Sequence, residues 1–403
     1  MSKLQELMDS YCPNGVDFRE LQYVLRSIST GLNPRKNFRL NTDDARCFYV
    51  TVKEFTTGKI VFNEKTDRIN EEAVSIIQRR SKLEVGDVLL SGIGTIGKVA
   101  LVDIPVNNWN CSESVFLLKP DSSVIVPRFL MYVLQGNAVQ DVWNGEAVGS
   151  TLRGIRKSTL ETLEIPVPPI VVQRKIVEIL DNFSELTAEL TAELTARQKQ
   201  YEYYRDNLLN FNNINRGGRN DIEWRALSEC CIILDNKRKP VTKSDRIQGH
   251  YPYYGANGIQ DYVGDYIFDG TYILVGEDGS VITDKGHPVV NWATGKIWVN
   301  NHAHIVSEIP GISLRYLYYV LQTINVREFI HGNIPKLNQS DFRSLIIPVP
   351  PKDEQEMLVE ILDRFESLTT NLTEGLPAEI KARQQQYEYY RDKLLTFKRK
   401  EVA

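Results

Sequence analysis

The chain contains the stretch Ile165-Pro-Val-Pro-Pro169, and the same five residues return as Ile347-Pro-Val-Pro-Pro351. Each copy is followed by a long run whose apolar residues recur at helical spacing. Both runs close on nearly the same fifteen residues, of which twelve are identical: Arg197-Gln-Lys-Gln-Tyr-Glu-Tyr-Tyr-Arg-Asp-Asn-Leu-Leu-Asn-Phe211 and Arg383-Gln-Gln-Gln-Tyr-Glu-Tyr-Tyr-Arg-Asp-Lys-Leu-Leu-Thr-Phe397. The sequence therefore predicts two matching helical segments, and these decide how the rest of the chain is organised.

Apolar residues in both helical runs follow one another by steps of three and four, which is the spacing of a coiled coil. Two matched seams in one chain most simply bury each other, so we expect an antiparallel pair. Two surface helices on separate domains are the alternative. Proline cannot sit inside a helix without kinking it, so Gly375-Leu376-Pro377 predicts a break in the second run, with Pro377 in the first turn after it.

A tandem repeat, Thr187-Ala-Glu-Leu190 followed by Thr191-Ala-Glu-Leu194, interrupts the coiled-coil spacing of the first run. Four residues are slightly more than one helical turn, so one such unit lengthens a helix by about 6 Å with little rotation of its apolar seam. A unit that can be added or removed in this way is suited to act as a ruler.

The composition is that of a globular protein of two or three domains, with 403 residues, 42% hydrophobic and 25% charged. No apolar stretch approaches the roughly 18 to 20 residues that span a bilayer, and no signal core follows Met1, so we expect a cytoplasmic protein without a membrane partner. Five cysteines without a Cys-x-x-Cys pair indicate ordinary reduced thiols. The net charge of −4 lies entirely in the helical runs 170–211 and 352–403, so any nucleic-acid footprint has to be a local patch.

The segments outside the helical runs, 1–165 and 213–346, hardly resemble each other but share an outline, and we call them the first and the second head. Each starts with an aromatic-x-x-Leu sequence, carries short β-branched runs separated by Gly and Asn turns, and ends in a short helix followed by a glycine-bearing loop. We therefore predict the α+β class, with two similar domains of mainly antiparallel, twisted sheet. The helical segments 166–212 and 347–403 would join the heads as antiparallel coiled-coil helices in a pseudo-twofold arrangement.

The loop Gly92-Ile-Gly-Thr-Ile-Gly-Lys98 satisfies the Gly-x-Gly-x-x-Gly pattern and nearly satisfies that of a phosphate-binding loop. Val99 stands where a magnesium site needs Ser or Thr, and the residues that follow are β-branched, so no helix N-terminus is expected to hold a phosphate. The second head has Gly276-Glu-Asp-Gly-Ser-Val281 in the corresponding place, without this pattern. We interpret the loop as a tight turn, and a nucleotide-dependent enzyme stays as the alternative.

Basic clusters and planar amides in the heads are the candidates for contacts with DNA. Lysine and arginine contact phosphates, whereas Asn, Gln and Arg side chains pair with base edges in the major groove. One such cluster taken alone is more often a solvated loop. The predicted DNA-binding residues are Arg35, Lys36, Arg39, Arg79, Arg80, Lys98, Arg153, Arg156, Lys157, Lys237, Arg238, Lys239, Tyr254, Asn257, Gln260, Asn291, Asn301, His302, Lys336 and Asn338.

All five histidines lie in the second head, where His302 and His304 would share one face of a strand as a metal pair. No third ligand is evident nearby, so polar strand residues explain the two histidines better, and we predict no metal. The sequence contains no methyltransferase Asn-Pro-Pro-aromatic motif, no recognisable nuclease carboxylate cluster and no Ser/His/Asp arrangement. It therefore predicts no catalytic residues.

The chain resembles the specificity subunits of Type I restriction-modification systems, most closely their IC branch. The resemblance rests on the Pro-Val-Pro-Pro segments with Gln173 and Gln355, on the Thr-Ala-Glu-Leu tandem, on the repeated helix endings and on the Gly-Thr-Ile-Gly-Lys turn. It covers nearly the whole chain. It implies that the heads are target-recognition domains, that the helices form an antiparallel spacer, and that this subunit is not catalytic.

The resemblance also implies the partners. Double-stranded DNA would be read as a bipartite, asymmetric site with one head per half-site, and two methyltransferase subunits and the restriction subunits would assemble on the chain. No cofactor is expected in this subunit, whereas S-adenosylmethionine, ATP and Mg2+ are expected in the partner subunits. A purely structural coiled-coil adaptor is a further alternative. The residues expected to bind the partners are Tyr201, Tyr204, Arg205, Asp206, Tyr387, Tyr390, Arg391 and Asp392.

Overall fold

The chain forms two compact units. Unit 1 comprises Met1–Glu189 and Ile380–Ala403, and unit 2 comprises Leu190–Glu379. Each unit therefore contains one head together with parts of the long helices. The structure is a computed structural model, and the residues it describes are 2–146, 154–211, 222–279, 281–370 and 375–401.

Unit 1 mixes short strands with helices. Its helices are α1 (Ser2–Tyr11), α2 (Pro34–Asn37), α3 (Glu71–Arg80), α4 (Pro127–Gln135), α5 (Asn137–Glu146), α6 (Lys157–Glu161) and the first part of α7 (Ile170–Leu208). Its strands are β1 (Phe18–Glu20), β2 (Leu25–Thr30), β3 (Cys47–Val50), β4 (Phe55–Thr56), β5 (Lys59–Ile60), β6 (Arg68–Ile69), β7 (Val88–Ser91), β8 (Val99–Leu101), β9 (Trp109–Cys111), β10 (Val115–Pro120) and β11 (Glu164–Pro166).

The main sheet of unit 1 has the strand order β2-β10-β7-β8, and all its neighbouring strands are antiparallel. Strand β7 is buried on both faces. Val88 and Leu90 belong to the same core cluster as Phe129 of α4, whereas Leu89 points to a second cluster with Trp109. This alternation follows from the period of two in a strand and explains why β7 is continuously apolar. A smaller sheet, β6-β3-β9, contains the parallel pair β3–β9.

Unit 2 repeats this mixture with a larger sheet. Its helices are the second part of α7, α8 (Leu227–Cys230), α9 (Leu314–Leu321), α10 (Gln339–Ser344), α11 (Lys352–Thr370) and the start of α12 (Leu376–Leu395), which ends in unit 1. Its strands are β12 (Glu223–Ala226), β13 (Ile232–Ile233), β14 (Gln248–Gly255), β15 (Gly258–Val263), β16 (Phe268–Gly276), β17 (Val290–Val299), β18 (Ala303–Ser307), β19 (Ile330–His331), β20 (Lys336–Leu337) and β21 (Ile346–Val349).

The sheet of unit 2 has the strand order β13-β18-β16-β17-β14-β15, in which only β14 and β17 are parallel among the described strands. The first four strands repeat the order of the main sheet in unit 1, with β18 and β16 in the places of β10 and β7. The predicted α+β class with mainly antiparallel sheets is therefore confirmed, and each head adds one parallel pair to it.

The Pro-Val-Pro-Pro segments pair with the aromatic starts of the heads in the same register. Phe18 of β1 lies opposite Pro166 of β11, and Trp224 of β12 lies opposite Pro348 of β21. Three residues after each aromatic residue, the Leu21 N–H donates to Leu163 O and the Leu227 N–H donates to Leu345 O, both at 2.8 Å. The shared outline of the two heads is thus a shared set of backbone hydrogen bonds.

A buried glutamine fastens each head to the first turn of its long helix. Gln173 Oε1 accepts from the Val126 N–H at 2.7 Å, and its Nε2 donates to the carbonyls of Val124 and Pro168 at 3.0 and 2.7 Å. Gln355 repeats these contacts with the Ser313 N–H and with the carbonyls of Gly311 and Pro350. The two side chains are 0% and 1% exposed, so all their amide groups are satisfied inside the protein. We call each set of contacts a glutamine clamp.

An ionic contact two helical turns further on strengthens each attachment. In unit 1 the Arg128 Nε donates to Asp181 Oδ1 at 2.7 Å, and the Tyr132 hydroxyl donates to the same oxygen at 2.5 Å. In unit 2 Arg315 and Tyr319 contact Asp363 in the same way. Burial and the hydrogen bond to Asp181 raise the pKa of Tyr132, so its hydroxyl stays a donor.

The long helices lie within the predicted segments 166–212 and 347–403 and show the predicted break. Helix α7 runs without interruption through the Thr-Ala-Glu-Leu tandem, whereas α11 ends at Thr370 and α12 begins at Leu376. Gly375 has a φ of +89°, which suits glycine, and Pro377 lies in the first turn of α12. The aromatic seam also repeats, since Phe183 stacks on Tyr390 in unit 1 and Phe365 stacks on Tyr204 in unit 2, at centroid distances of 5.3 and 5.6 Å.

We predict that Gln173→Ala lowers the free energy of unfolding of unit 1 by about 2 to 3 kcal/mol, because it leaves a buried N–H and buried carbonyls without partners. Urea denaturation of the complete chain measures this as a lower midpoint at an unchanged slope. Gln384→Ala is the matched control, since Gln384 is exposed on α12. Equal stability of the two variants would contradict the role given to the clamp.

Candidate nucleic-acid interface

Four segments of the second head meet at one edge of its sheet. Strand β16 ends beside the start of β18, and the Glu277 N–H donates to His302 O at 2.8 Å. The Leu337 N–H donates to Glu277 O at 2.8 Å and brings in the glycine-bearing loop, while the Leu234 N–H donates to Ile305 O at 2.9 Å and brings in the segment after β13. We call the residues 234–239, 277–279, 300–302 and 335–338 the second loop cluster.

The first head has the same edge, built by equivalent backbone contacts. The Gly92 N–H donates to Ser114 O and the Ile155 N–H donates to Gly92 O, both at 2.8 Å. Leu32 forms a bridge to Ser112, which adds the segment after β2. The residues 31–37, 92–98, 112–114 and 154–157 form the first loop cluster. Both heads therefore present four loops at the same place in the fold, although the side chains on them differ.

Most of the predicted DNA-binding residues belong to these two clusters. The members on the first cluster are Lys36, Lys98, Arg156 and Lys157, all exposed, and those on the second are Lys237, Arg238, Lys239, Asn301, His302, Lys336 and Asn338. Arg153 lies outside the described residues, as does the side chain of Arg35. The structure thus brings together residues that are widely separated in sequence, as a binding surface requires.

A second group of predicted residues surrounds the turn between β14 and β15, next to the second cluster. The Asn300 amide Nδ2 donates to Gln260 Oε1 at 3.2 Å, and the Asn291 Oδ1 lies close to Gly258, which follows the exposed Asn257 in the turn. Tyr254 is different, because its ring is buried in a core cluster with Phe268 and Ile297. Its position makes it a core residue of the hairpin rather than an exposed contact.

The other predicted DNA-binding arginines that the structure describes in the first head lie outside the residues of the first loop cluster. Arg79 and Arg80 are exposed at the end of α3, and Arg39 is exposed two residues after α2. One guanidinium nitrogen of Arg80 donates to Thr30 Oγ1 at 3.2 Å, at the end of strand β2. Arg80 therefore adjoins the segment after β2.

Arg238 is used inside the second head. Its Nε donates to Asp235 O at 3.0 Å, and its Nη1 donates to Glu277 Oε2 at 2.5 Å and to Ala303 O at 2.7 Å. Lys336 Nζ lies 3.4 Å from Glu277 Oε1. Lys237 and Lys239 on either side of Arg238 are exposed. Arg238 therefore acts as a cross-link between loops, and its two lysine neighbours are the groups that present charge to the outside.

The two candidate metal-binding histidines have different surroundings and contact different carboxylates. His302 is exposed and contacts Asp278, whereas His304 is fully buried with Nδ1 2.7 Å from Asp235 Oδ2. Asp235, Glu277 and His304 have ligand atoms close enough together for a metal ion, but the guanidinium of Arg238 already contacts both carboxylates. Sequence reasoning missed Asp235 and Glu277, because each becomes part of the site only through tertiary pairing.

The loop Gly92–Lys98 is the turn of the antiparallel hairpin β7–β8. The Gly97 N–H donates to Ser91 O at 2.9 Å, and strand β8 follows the loop directly in place of a helix. Gly94 and Gly97 both have a φ of +79°, which is why the turn needs glycine there. The tight turn predicted from the sequence is confirmed.

The residues expected to bind partner subunits divide into buried and exposed ones. In unit 2 Tyr201 and Arg205 are buried, and Arg205 Nη1 donates to Gln322 Oε1 at 3.2 Å. In unit 1 Arg391 is buried and donates to Asn137 Oδ1 at 3.2 Å. Asp206 and Asp392 accept from these arginines, Tyr387 and Tyr390 are half-buried, and Tyr204 is partly exposed. The two arginines, through Gln322 and Asn137, hold each head against its long helix.

Two further tyrosines of the repeated helix endings, which the sequence analysis did not name as partner-binding residues, are the most exposed of the aromatic residues there. Tyr203 is 66% exposed and Tyr389 is 61% exposed, at the same position of the two Tyr-Glu-Tyr-Tyr sequences. Their rings make equivalent edge contacts with Tyr204 and Tyr390. The helical period separates them from the buried positions, so the exposed face could have been found by placing the pattern on a helix.

Comparison with known proteins identifies the architecture. The sequence profile of the Type I restriction modification DNA specificity domain matches residues 13–197 and 220–382, which is most of the chain. The chain belongs to this family. A specificity subunit of the Type I restriction enzyme EcoprrI from Escherichia coli is 30% identical over 394 residues, which cover 93% of this chain and 92% of that protein.

A putative type I restriction enzyme specificity subunit from Haemophilus influenzae is 42% identical over 180 residues, 43% of this chain. That match spans 46% of the length of the Haemophilus protein. The crystal structure of the Type I restriction-modification S subunit from M. genitalium has the same fold, with a TM-score of 0.53 at 17% identity, covering 94% of this chain and 96% of that one. The long helices α7, α11 and α12 fit the coiled-coil linkers of this fold. None of the helices in the described part of the chain combines the length and apolar character needed to cross a bilayer.

We predict that replacing Lys237 and Lys239 together by alanine weakens binding to duplex DNA and reduces the salt dependence of the affinity. Each lost phosphate contact lowers the slope of log K against log salt by about 0.9. Titrations at several salt concentrations measure the slope. Lys352→Ala serves as the control, because Lys352 is exposed at the start of α11 and pairs with Glu356. An unchanged slope in the double variant would remove this segment from the DNA interface.

Proposed function

We propose that this chain is the DNA sequence-specificity subunit of a Type I restriction-modification enzyme and reads a bipartite, asymmetric site with one head per half-site. The observation that carries the proposal is the repeated loop cluster. Each head builds the same four-loop edge from backbone hydrogen bonds, and each covers it with different side chains. Two domains that recognise different half-sites need the same backbone arrangement with different side chains on its surface.

The side chains of the second cluster suit both parts of DNA recognition. Lys237 and Lys239 present positive charge to phosphates, which fixes position without reading sequence. Asn301 and His302 are exposed beside them and offer hydrogen-bond donors and acceptors to base edges. The first cluster offers Lys98, Arg156 and Lys157 instead. These different groups favour two unlike half-sites and therefore an asymmetric target.

We propose that two methyltransferase subunits dock on the repeated helix endings, at Tyr203 and Tyr389, and that restriction subunits join this assembly. Tyrosine combines a large apolar ring with a hydroxyl and is typical of the centres of protein interfaces. Two equivalent exposed tyrosines fit two copies of one partner. In this proposal the chain itself is not catalytic, S-adenosylmethionine, ATP and Mg2+ belong to the partner subunits, and the Thr-Ala-Glu-Leu tandem favours the IC branch.

Exchange of the second head, residues 213–346, for that of a relative tests modular reading. We expect only one half of the methylated sequence to change, while the other half and the spacer stay the same. Sequencing of methylated adenines across the genome of a strain that carries the hybrid chain gives the answer directly. If both half-sites changed together, one head would not read one half-site.

Insertion of a third Thr-Ala-Glu-Leu unit after Leu194 tests whether the tandem sets the length of the non-specific spacer between the two half-sites. The added turn lengthens α7 by about 6 Å, whereas one base-pair step is about 3.4 Å along the duplex. Because an oblique rod contributes only part of its length, we expect the non-specific spacer to grow by about one base pair. Both half-sites should be unchanged. A fully active complex with the original spacer would show that 187–194 does not measure distance.

Replacement of Tyr203 and Tyr389 by alanine tests the docking surface. We expect each single variant to retain one methyltransferase subunit with high affinity and the double variant to lose both, with about tenfold or more weaker association at each site. Size-exclusion chromatography with multi-angle light scattering counts the subunits. Tyr23→Ala is the control, because Tyr23 is 69% exposed on the first head and away from the repeated endings. Full assembly of the double variant would contradict this surface.

A further inference from the structure

A buried network of charged groups lies under the second loop cluster, and its centre is His304. The ring Nδ1 is 2.7 Å from Asp235 Oδ2, and Nε2 is 2.9 Å from the main-chain carbonyl oxygen of Leu337. The ring also stacks on Phe342 at a centroid distance of 4.3 Å. His304 therefore touches three segments of the head at once, namely the segment after β13, strand β20 and helix α10.

Both ring nitrogens of His304 face acceptors. A carbonyl oxygen only accepts, so Nε2 carries a hydrogen. The carboxylate of Asp235 also accepts from the Ile305 N–H at 3.0 Å and from the Gln339 amide at 2.9 Å, as an ionised group does. Burial by itself would raise the pKa of Asp235, but the hydrogen bond and charge of His304, with smaller contributions from Ile305 and Arg238, bring it below its ordinary value. The His304 ring thus links strand β18 to the segment after β13 through Asp235 and to strand β20 through Leu337.

The charged groups around His304 come from several loops of the cluster. Glu277 Oε2 lies 3.7 Å from His304 Nδ1 and pairs with Arg238, while Glu277 Oε1 faces Lys336. Asp235 and Arg238 belong to the segment after β13, Glu277 to the segment after β16, and Lys336 to the glycine-bearing loop. Arg238 also donates to the carbonyl oxygens of the 301–303 segment. The network thus cross-links the four loops from below.

The first head fills the same place without charge. Phe116 pairs with Leu90 in the main sheet as His304 pairs with Val275 in the other, and Gly92 follows β7 as Glu277 follows β16. The ring of Phe116 lies directly over Gly92, where an added Cβ would be 2.3 Å from Phe116 Cε2. The fold therefore does not need an ionic network at this position. Among the residues that the structure describes, the network lies under the second cluster, which calls for a role particular to that head.

We propose that this network is a positioning device for DNA recognition by the second head, with His304 as its central positioning residue. The inference rests on the proposed function of the cluster. Because the charged groups tie the four loops together, Asn301, His302 and Lys336 are held in one arrangement before DNA arrives. A surface ordered in advance loses less conformational freedom on binding and discriminates better between sequences. Loss of the His304 ring would release the loops while the sheet beneath them stays intact.

The variant His304→Gln tests the proposal in the complete chain assembled with its methyltransferase subunits. Glutamine keeps a polar amide but cannot satisfy both acceptors in the same geometry. Binding is measured with three duplexes, which carry the natural target, the target with one base pair of the second half-site changed, and the target with one base pair of the first half-site changed. We expect discrimination at the second half-site to fall about tenfold, the contribution of one good base contact, and discrimination at the first half-site to stay the same.

Phe342→Leu is the matched control, because it removes the ring that stacks on His304 and leaves every charge in place. At a comparable loss of thermal stability it should retain discrimination at both half-sites. Unchanged discrimination in His304→Gln, or an equal loss in Phe342→Leu, would overturn the proposal. If the wild-type complex showed no preference at either half-site, the proposed function itself would be wrong.

Discussion

The buried glutamine after each Pro-Val-Pro-Pro segment is the contact on which both units depend. A buried amide without partners costs about 1 to 3 kcal/mol, so Gln173 and Gln355 are stable only where a donor and two acceptors surround them. The head supplies the N–H and one carbonyl, and the proline segment supplies the other. Each clamp therefore forms only when strand, head helix and long helix are all in place. The arginine–aspartate contacts further along the helices extend the same attachment.

This attachment leaves the heads free to differ. Their common frame consists of backbone hydrogen bonds, such as those of Leu21 and Leu227 or of Gly92 and Glu277, and a backbone bond places little demand on the side chain. The same strand position can therefore hold Phe116 against a glycine in one head and His304 against carboxylates in the other. The side chains of a loop cluster can therefore change without disturbing the way a head is held, which suits the modular reading proposed above.

The repeated helix endings combine buried and exposed positions in one sequence. Arg205 and Arg391 point inward and bind amide oxygens of the head, whereas Tyr203 and Tyr389, on the other side of the helix, remain exposed. The sequence pattern alone led us to the whole stretch as a partner surface, because identity between repeats does not distinguish a packing constraint from a binding constraint. Burial in the folded unit separates the two.

The sequence by itself determined the repeat, the α+β class, the long helices, the break before Pro377, the tight turn at Gly92–Lys98 and the family resemblance. These follow from periodicity, proline and glycine chemistry and internal identity, all of which are local. The sequence also identified many residues of the two loop clusters as candidates for DNA contacts. It did not show that those of each head lie at one edge of a sheet. Only the tertiary structure showed that Tyr254 is core, that Arg238 is a cross-link, and that Asp235, Glu277 and His304 form one network. Their partners lie dozens of residues apart, and pairing across a sheet depends on strand order and register, which no local pattern contains.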